Sequence, residues 1–452
     1  MNRAIVLGGG ADALVAAQVL ARAGREVLVI GTAARASDDG WVPPGVLREL
    51  RLEGVKLAWP DPWLVVPLAD GGRLELWRDV ARSAESIRRL SARDAERWPA
   101  FCERMARLAR FLEALYAAPP PDPLSAGFAL RARRLGRRAL TDLLRLLPMP
   151  AADLLDDWFE TDALKGALGG AGILHLLQGP RSGGTAFRLL HHHAGCPPGV
   201  FRPPRSNILE LLRRLPRVEL QGTEVLRITV RNGAVSGVVL KDGRELAASV
   251  VVSSADPRRS LLELVEPGWL DPQLARALRH VRRRGVAARL RIEFDRPPAF
   301  AALALAPSLD YLERAYDDAK HGRLSREPYL EARCDDSHRV EALVQYAPYG
   351  ADCHDLPERV VALLAEHVGD AQAQRAELST PRELEQFEGW PEGQPHHAEL
   401  ALDQALWMRP LPELAHYRTP IEGLWLCGPG MHPGAGIAGA SGLNCAHAIL
   451  GR

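Results

Sequence analysis

The first thirty residues combine two short apolar runs with a glycine-rich turn and an alanine-rich segment between them. The apolar run 4–7 predicts a buried strand, residues 11–24 predict a helix, and the run 26–30 predicts a second, parallel strand. In the turn, Gly8, Gly10 and Ala13 occupy the three small-residue positions of G-x-G-x-x-G/A. In this context the spacing predicts a dinucleotide-binding unit, whose turn and helix N-terminus face a pyrophosphate.

Two later stretches carry further signals of strands and tight turns. Residues 225–252 contain alternating apolar and polar positions interrupted by Asn232-Gly233 and Asp242-Gly243, which predicts an antiparallel meander. Near the C-terminus, residues 423–427 predict a buried strand, 428–440 a glycine-rich loop and 441–450 a helix of small residues. Such a loop lets a flat or charged ligand approach the backbone closely. A closing turn without a ligand is the alternative.

Length, composition and charge narrow the class of protein. The chain has 452 residues, of which 47% are hydrophobic and 25% charged, as expected for a folded globular protein of two or more domains. A net charge of +1 argues against a general nucleic-acid binder. No apolar run reaches the length of a membrane span, and the six cysteines include no C-x-x-C pair. We therefore expect a cytoplasmic protein, soluble or at most peripheral to a membrane.

Arginine is concentrated in one leucine-rich segment. Only four of the 57 basic residues are lysine, and six arginines fall within residues 127–147. These are Arg131, Arg133, Arg134, Arg137, Arg138 and Arg145. A basic amphipathic helix of this kind predicts contact with an anionic membrane surface or a partner groove, above all through Arg131–Arg138. A solvated arginine face on a helix that packs against the core is the alternative.

Beyond these patterns, the chain resembles the phytoene desaturase-like FAD-dependent oxidoreductases, a branch of the flavin amine oxidase group. The resemblance covers nearly all of the chain from about residue 158 onward. The stretches that carry it are Thr161–Lys165, Leu189–His192, Val251–Pro257, Ser308–Lys320, Gln345–Tyr349, Met408–Pro410 and Leu426–Asn444.

The resemblance implies an α/β fold with two interleaved domains. A Rossmann-like FAD-binding domain of the glutathione reductase type would comprise segments 1–75, 202–270 and 415–452. An α+β substrate domain would comprise segments 76–201 and 271–414, including the basic segment near 127–147.

The same resemblance implies FAD as the cofactor and assigns its contacts. The turn with Gly8, Gly10 and Ala13 would hold the pyrophosphate, and Val225 would lie near the adenine. The C-terminal loop would lie under the ribityl chain and the flavin ring, and its assigned residues are Gly428, Pro433, Gly434, Gly436 and Gly439. His432 in this loop is the candidate catalytic residue; a turn histidine without a role is the alternative.

Several positions depart from the family pattern where FAD would bind. Gly31 stands where the family has a glutamate that binds the ribose, and the 203–206 turn, Pro203-Pro204-Arg205-Ser206, replaces a glycine-rich turn. Asp38 and Asp39 would supply the missing acid only if their loop folds back. The departures raise the hypothesis that FAD binding is weakened or lost.

A run of three histidines, His191-His192-His193, invites a metal interpretation. On a strand, His191 and His193 would share one face, but two imidazole groups alone do not make up the ligand set of a metal site. We therefore predict no metal and a structural or pocket-lining role for the histidines.

Two functions remain open. The first is a FAD-dependent dehydrogenase, desaturase or isomerase that acts on an apolar isoprenoid or polyene substrate. The second is a non-catalytic homologue that serves as a partner subunit or lipid-binding scaffold, in a homo-oligomer or with a paralogue. An NAD(P)-linked enzyme, with Arg35 accommodating a 2′-phosphate, is a weaker third idea because the flavin-type C-terminal loop has no place in it.

Overall fold

The computed structural model describes residues 3–33, 40–120, 122, 127–128, 130, 133, 136–218, 220–334 and 338–452. The strands are β1 (Arg3–Gly9), β2 (Glu26–Ala33), β3 (Leu57–Ala58), β4 (Leu64–Pro67), β5 (Arg73–Leu76), β6 (Arg205–Ser206), β7 (Leu220–Gln221), β8 (Val225–Arg231), β9 (Ala234–Leu240), β10 (Glu245–Ala247), β11 (Val250–Ser253), β12 (Ala287–Phe294), β13 (Ala302–Leu305), β14 (Leu330–Cys334), β15 (Arg339–Gln345), β16 (Ala373–Ser379) and β17 (Leu424–Leu426).

The helices are α1 (Ala11–Arg22), α2 (Pro44–Leu50), α3 (Val80–Arg88), α4 (Ala92–Tyr116), α5 (Arg137–Leu146), α6 (Ala151–Trp158), α7 (Asp162–Ala171), α8 (Thr185–His193), α9 (Ile208–Arg214), α10 (Pro272–His280), α11 (Leu309–Lys320), α12 (Leu356–Ala365), α13 (Pro381–Glu388) and α14 (Ala440–Leu450).

Five parallel strands form one sheet in the order β17-β11-β1-β2-β7. Strand β1 is central, and its Ile5 pairs with Val251 on one side and with Leu28 on the other. Strand β1 is a continuous apolar run because a parallel sheet of this kind is covered on both faces. Helix α1 packs against both β1 and α14, so the N-terminal and C-terminal segments pack together beside this sheet.

The predicted meander is confirmed, with one difference at its end. Strands β10, β9 and β8 form a three-stranded antiparallel sheet. Asn232 and Gly233 both have positive φ, as a tight hairpin of this twist requires. The predicted last run, 245–252, divides: β10 pairs with β9, whereas β11 joins the parallel sheet beside β1.

A second, seven-stranded sheet has the order β16-β12-β15-β14-β13-β4-β5 and is antiparallel except between β13 and β4. Two of its strands, β4 and β5, fall within the segment 1–75 that was predicted for the FAD-binding domain, so this part of the chain pairs with the larger sheet. The chain passes repeatedly between the two sheets. The predicted α/β fold with a Rossmann-like domain interleaved with an α+β domain is confirmed.

Helices α3 to α8 lie beside the larger sheet and enclose an aromatic cluster. Trp98 and Phe101 of α4 contact Phe201, with ring centroids 6.3 and 5.8 Å apart. Contacts of this kind each contribute roughly 0.5–1.5 kcal/mol beyond the burial of apolar area. The cluster fixes α4 and therefore the position of α8, which packs against it.

The three histidines lie in helix α8 and not in the strand that was considered for them from the sequence. All nine of its residues are buried, including His191, His192 and His193. The burial of all nine side chains depends on the elements packed around the helix, so the local sequence did not reveal it. The histidines at 191 and 193 therefore do not share a strand face.

The basic segment is described from residue 136 onward and at a few positions before it, while Arg131 and Arg134 lie outside the described residues. In α5, Leu143 and Leu146 are buried, whereas Arg137 and Arg138 are exposed. Leu144 is 61% exposed on the same helix. Among the helices that the structure describes, none combines the length and apolar character that a bilayer span requires.

Candidate functional site

The turn between β1 and α1 leaves an open approach to the helix N-terminus. Gly8 has φ +115°, and a Cβ there would lie 2.1 Å from the Ser254 hydroxyl oxygen, so the turn needs glycine at this position. At Gly10, the N-cap of α1, a Cβ would meet no atom within 4 Å. Gly10 therefore presents its backbone to free space, as a pyrophosphate site requires.

That space is part of a cavity of about 1070 Å³ that connects the two glycine-rich segments. Its walls come from the turn 8–12, residues 223–225 at the start of β8, residues 254–256 after β11 and the loop 434–438. Helix α8 contributes Arg188 and His192, and the segment 384–391 closes the far side. Segments far apart in the chain thus form one site between the two sheets.

Five of the nine residues predicted to bind a cofactor line this cavity: Gly8, Gly10, Val225, Gly434 and Gly436. The other four are Ala13, Gly428, Pro433 and Gly439, and all are buried. Three of these four have a packing role that the structure explains.

Ala13 lies beneath the first glycine turn, 3.8 Å from where a Gly8 Cβ would stand. A Cβ at Gly428 would lie 2.7 Å from the Ser254 carbonyl oxygen, and one at Gly439 would lie 2.8 Å from Val15. These positions need small residues so that helices, strands and loop pack closely.

His432, the predicted catalytic residue, is fully buried and is not among the described residues that line the cavity. Its Nε2 donates to the Leu115 carbonyl oxygen at 3.2 Å, and its ring stands edge-on to Tyr116. Burial lowers the pKa of His432 to about 4, so the ring is neutral at pH 7. These contacts hold the C-terminal loop against α4, and the catalytic role stays a prediction.

Gly31, the position without the expected acid, is constrained by the backbone. It has φ +154°, and a Cβ there would lie 2.9 Å from the Gly8 Cα. The close approach of β2 to the first glycine turn therefore excludes any side chain in this conformation. Arg35, Asp38 and Asp39 lie outside the described residues.

The 203–206 turn lies in the cavity wall through Pro203 and Arg205. The Pro204 carbonyl oxygen accepts a hydrogen bond from the Gly40 backbone N–H at 2.7 Å, and Arg205 and Ser206 form β6, which pairs with β3. The turn therefore anchors the chain after β2. The cavity of about 1070 Å³ lies beside this turn and is not filled by it.

Most charged groups in the cavity wall are paired. The Arg202 guanidinium donates to both carboxylate oxygens of Glu331, and the Tyr329 hydroxyl donates to the same carboxylate. Burial alone would raise the pKa of Glu331, but Arg202 holds it below its ordinary value. Arg283 likewise donates to Asp256 at 2.6 Å.

Arg188, by contrast with these paired groups, has hydrogen-bond donors without a partner among the described residues. It is only 1% exposed, and its Nη2 donates to Nε2 of His396 at 2.9 Å. Its Nε and Nη1 have no hydrogen-bond partner among the described residues. Burial lowers the pKa of the Arg188 guanidinium to about 9, so it keeps its charge at pH 7.

The histidines around Arg188 are neutral. Burial and the Arg188 charge lower the pKa of His191 to about 3 and that of His192 well below its ordinary value. His191 accepts from the Tyr116 hydroxyl at Nδ1 and donates from Nε2 to the Ala435 carbonyl oxygen at 2.9 Å, which is the tautomer that both contacts require. Helix α8 is thereby joined directly to the C-terminal loop.

Asp12, beside Gly10, is a second charged group with an unusual environment. Its Oδ1 accepts a hydrogen bond from the Gly442 backbone N–H at 3.2 Å, near the N-terminus of α14. Burial nevertheless raises the pKa of Asp12 to about 6. Asp12 lines the cavity beside Gly10, and its carboxylate is directed to the N-terminus of α14.

Sequence reasoning missed Arg188 and the role of Arg409. Arg188 immediately precedes the Leu189–His192 stretch, but its hydrogen-bond partner is His396, 208 residues away. Arg409 lies within a noted stretch, yet its partners are backbone carbonyls, which no sequence pattern reveals.

A sequence model of the family described as "Flavin containing amine oxidoreductase" matches residues 45–450. The protein named "Pyridine nucleotide-disulfide oxidoreductase domain-containing protein 2" of Rattus norvegicus is 29% identical, over 99% of this chain and 93% of its own length. A limonene dehydrogenase subunit of Castellaniella defragrans is 24% identical, over 98% of this chain and 94% of its own.

Solved structures with a similar fold include wild-type putrescine oxidase bound to putrescine, with a TM-score of 0.59 and 14% identity over 100% of this chain and 99% of that one. Cyclohexylamine oxidase from Brevibacterium oxydans has a TM-score of 0.55 and 16% identity, again over 100% and 99%. At these identities the likeness concerns the fold.

Proposed function

Because this chain belongs to the family of flavin-containing amine oxidoreductases, we propose that it is a FAD-dependent oxidoreductase that acts on an apolar substrate of the isoprenoid or polyene class. The observation that carries the proposal is the single cavity that joins the open turn at Gly10 to the C-terminal loop 434–438. Its volume is at the upper end of ligand pockets, which leaves room for a cofactor and part of a substrate.

The residues present fit FAD in three places. The backbone of Gly10 and the N-terminus of α1 would hold the pyrophosphate, Val225 would lie at the adenine, and Gly434 and Gly436 would lie against the flavin. When bound, the flavin supplies the hydride chemistry, and the protein contributes position and electrostatics. His191 contributes position, because its bond to Ala435 fixes the loop on which the flavin would rest.

An apolar substrate is supported by apolar side chains in the cavity wall. Leu343, Leu384, Phe387, Trp390 and Ile437 line it. A relative that covers nearly the whole chain is named for limonene, an apolar terpene. We propose dehydrogenation, desaturation or isomerisation of such a substrate, with its apolar body against these side chains.

The proposal is tested by measuring whether the protein binds FAD. Purified full-length protein is expected to show a flavin absorption spectrum and to release FAD on denaturation. The variant G10V is expected to fold normally, because a Cβ at this position would meet no other described part of the chain within 4 Å. It should lose at least about tenfold in FAD affinity, because the side chain would occupy the proposed pyrophosphate space.

Gly222→Val is the matched control, because Gly222 is exposed and a side chain there also meets no atom. It should bind FAD like the natural protein. A colourless natural protein whose melting temperature does not change with added FAD would overturn the proposal.

That outcome would favour the second candidate, a non-catalytic partner subunit or lipid-binding scaffold. The observation in its favour is that one relative is named as a subunit. Affinity purification from the native host, followed by identification of a co-purifying paralogue, tests it. A single homo-oligomeric species would argue against a paralogous partner.

We also propose that α5 makes peripheral contact with an anionic membrane. Arg137 and Arg138 are exposed, and Leu144 lies exposed on the same helix. Sedimentation with liposomes should show binding that depends on anionic lipid and falls in the variant R137E/R138E. Equal binding to neutral and anionic liposomes would contradict this proposal.

A further inference from the structure

Arg188 lies in the one part of the described cavity wall where several buried polar atoms have no partner. Its Nε and Nη1 lack acceptors, and so do the Nδ1 atoms of His192, His396 and His397. Native structures leave few such atoms, so a group of them at one place requires an explanation. Here the explanation has to account for an uncompensated positive charge.

The charge has no acidic partner among the described residues. No described carboxylate forms an ion pair with Arg188, and the nearby acids of the wall are already engaged: Glu331 by Arg202 and Asp256 by Arg283. The surrounding histidines are neutral. A buried, unpaired cation is unfavourable, and a negatively charged ligand group would remove that cost.

The position of Arg188 places such a group next to the flavin site. Arg188, His191 and His192 lie three and four residues apart, on one side of α8. His191 binds the Ala435 carbonyl oxygen of the C-terminal loop, and Arg188 and His192 line the cavity. Leu174 lines the cavity nearby, which provides apolar surface beside the charge.

We propose that the Arg188 guanidinium binds a carboxylate carried by the substrate, which is therefore an apolar molecule with one acidic group. The inference rests on the proposed function for the flavin but names a feature of the substrate that a hydrocarbon lacks. Nε and Nη1 hold three N–H donors, and a carboxylate accepts from more than one of them. Because both atoms are buried, the side chain turns toward the cavity when the ligand binds.

The probe is octanoate, compared with the uncharged octanamide, each titrated into FAD-loaded protein while the flavin absorption bands and the melting temperature are followed. We expect octanoate to perturb both and to bind at least about tenfold more tightly than octanamide. R188Q should lose at least about tenfold in octanoate affinity, and R188K should keep part of it.

Arg181→Gln is the matched control. Arg181 lies shortly before α8, is 48% exposed and pairs with Asp310 outside the cavity. R181Q removes the same charge by the same substitution and should bind octanoate like the natural protein. If R181Q weakens octanoate as much as R188Q does, the effect is one of general charge and the proposal is wrong.

Three other results would overturn the inference: octanamide binding as well as octanoate, R188Q binding octanoate as well as the natural protein, and no octanoate binding at all. A tenfold loss of FAD affinity in R188Q with unchanged octanoate affinity would also overturn it, since the flavin would then be the partner. Failure of the proposed function can be distinguished from failure of this inference. Protein that binds no FAD but binds octanoate through Arg188 would support the inference and contradict the proposal that FAD is the cofactor.

Discussion

The cavity wall and the layer behind the C-terminal loop each contain a buried arginine, and they treat it in opposite ways. Behind the loop, Arg409 donates to the backbone carbonyl oxygens of five residues, namely His396, Ala398, Glu399, Gln404 and Pro429. In the wall, Arg188 donates to His396 through Nη2, and its Nε and Nη1 have no partner in the part of the chain that the structure describes.

Both arginines are almost fully buried, and neither has an ion-pair partner among the described carboxylates. Burial lowers the pKa of each to about 9. Burial and charge therefore do not distinguish a structural arginine from a ligand-binding one. The two kinds of arginine are distinguished by whether their N–H donors have acceptors. A guanidinium whose N–H groups all reach carbonyl oxygens stabilises the fold, whereas one with free donors is available to a ligand.

The largest expected effect comes from Arg409→Met. The variant leaves four carbonyl oxygens without a donor, because that of Glu399 also accepts from the Gln404 side-chain amide. Each unsatisfied group costs about 1–3 kcal/mol. We expect the free energy of unfolding in urea to fall by at least about 4 kcal/mol, or the protein not to fold. Arg418→Met, at an exposed arginine nearby, should change it by less than about 1 kcal/mol. If R409M lowers the free energy of unfolding only slightly, the contrast between a structural Arg409 and a ligand-binding Arg188 is wrong.

Arg202→Met tests the third arrangement, a buried arginine with a carboxylate. Without Arg202, Glu331 is buried and unpaired, and we expect a loss of about 3–5 kcal/mol in urea unfolding. The double variant R202M/E331L removes both charges and should recover most of that loss. If the double variant is no more stable than R202M, the ion pair is not what Arg202 contributes.

The contrast between these arginines shows where the sequence is informative. The β1–α1 turn, the Asn232-Gly233 hairpin and the C-terminal loop were predictable because each depends on residues close together in the chain, where glycine and apolar periodicity carry the signal. Five of the predicted cofactor residues line the cavity. Of these, Val225, Gly434 and Gly436 were assigned through the family resemblance and not through local pattern.

Features that depend on distant neighbours were not predictable. Gly31 is required because β2 passes so close to the first glycine turn that a Cβ would lie 2.9 Å from the Gly8 Cα, a contact across the sheet. Helix α8 is buried on all sides by elements distant in the chain, which its three histidines did not reveal, and they suggested a strand instead. The free donors of Arg188 and the buried position of His432 both follow from tertiary packing, which sets burial and partners independently of local sequence.

Arg188→Met should behave in the opposite way to Arg409→Met. Methionine of similar length removes an uncompensated charge and leaves few partners unsatisfied, so the free energy of unfolding should stay the same or rise by up to about 2 kcal/mol. Removing the charge also relieves Arg409, whose pKa the Arg188 charge helps to lower. Urea unfolding of R188M beside R181M measures this. A loss above about 2 kcal/mol would place Arg188 with the structural arginines.

Asp12→Asn has the smallest expected effect and extends the comparison to an acid. Burial raises the pKa of Asp12 from 3.8 to about 6, so the folded state binds more protons than the unfolded state between these values. The contribution of Asp12 to the free energy of unfolding is therefore fully present below pH 4 and is lost as the pH rises through about 6. Above that pH the free energy of unfolding no longer changes because of this group.

Asp12→Asn keeps Oδ1 as an acceptor for the Gly442 N–H and cannot ionise. Relative to the natural protein, D12N should therefore gain about 1–2 kcal/mol in the free energy of unfolding between pH 4 and pH 7. Urea unfolding of both proteins at these two pH values measures the difference. Parallel pH profiles would mean that the hydrogen bond at the α14 N-terminus satisfies the carboxylate, and Asp12 would then resemble Arg409 rather than Arg188.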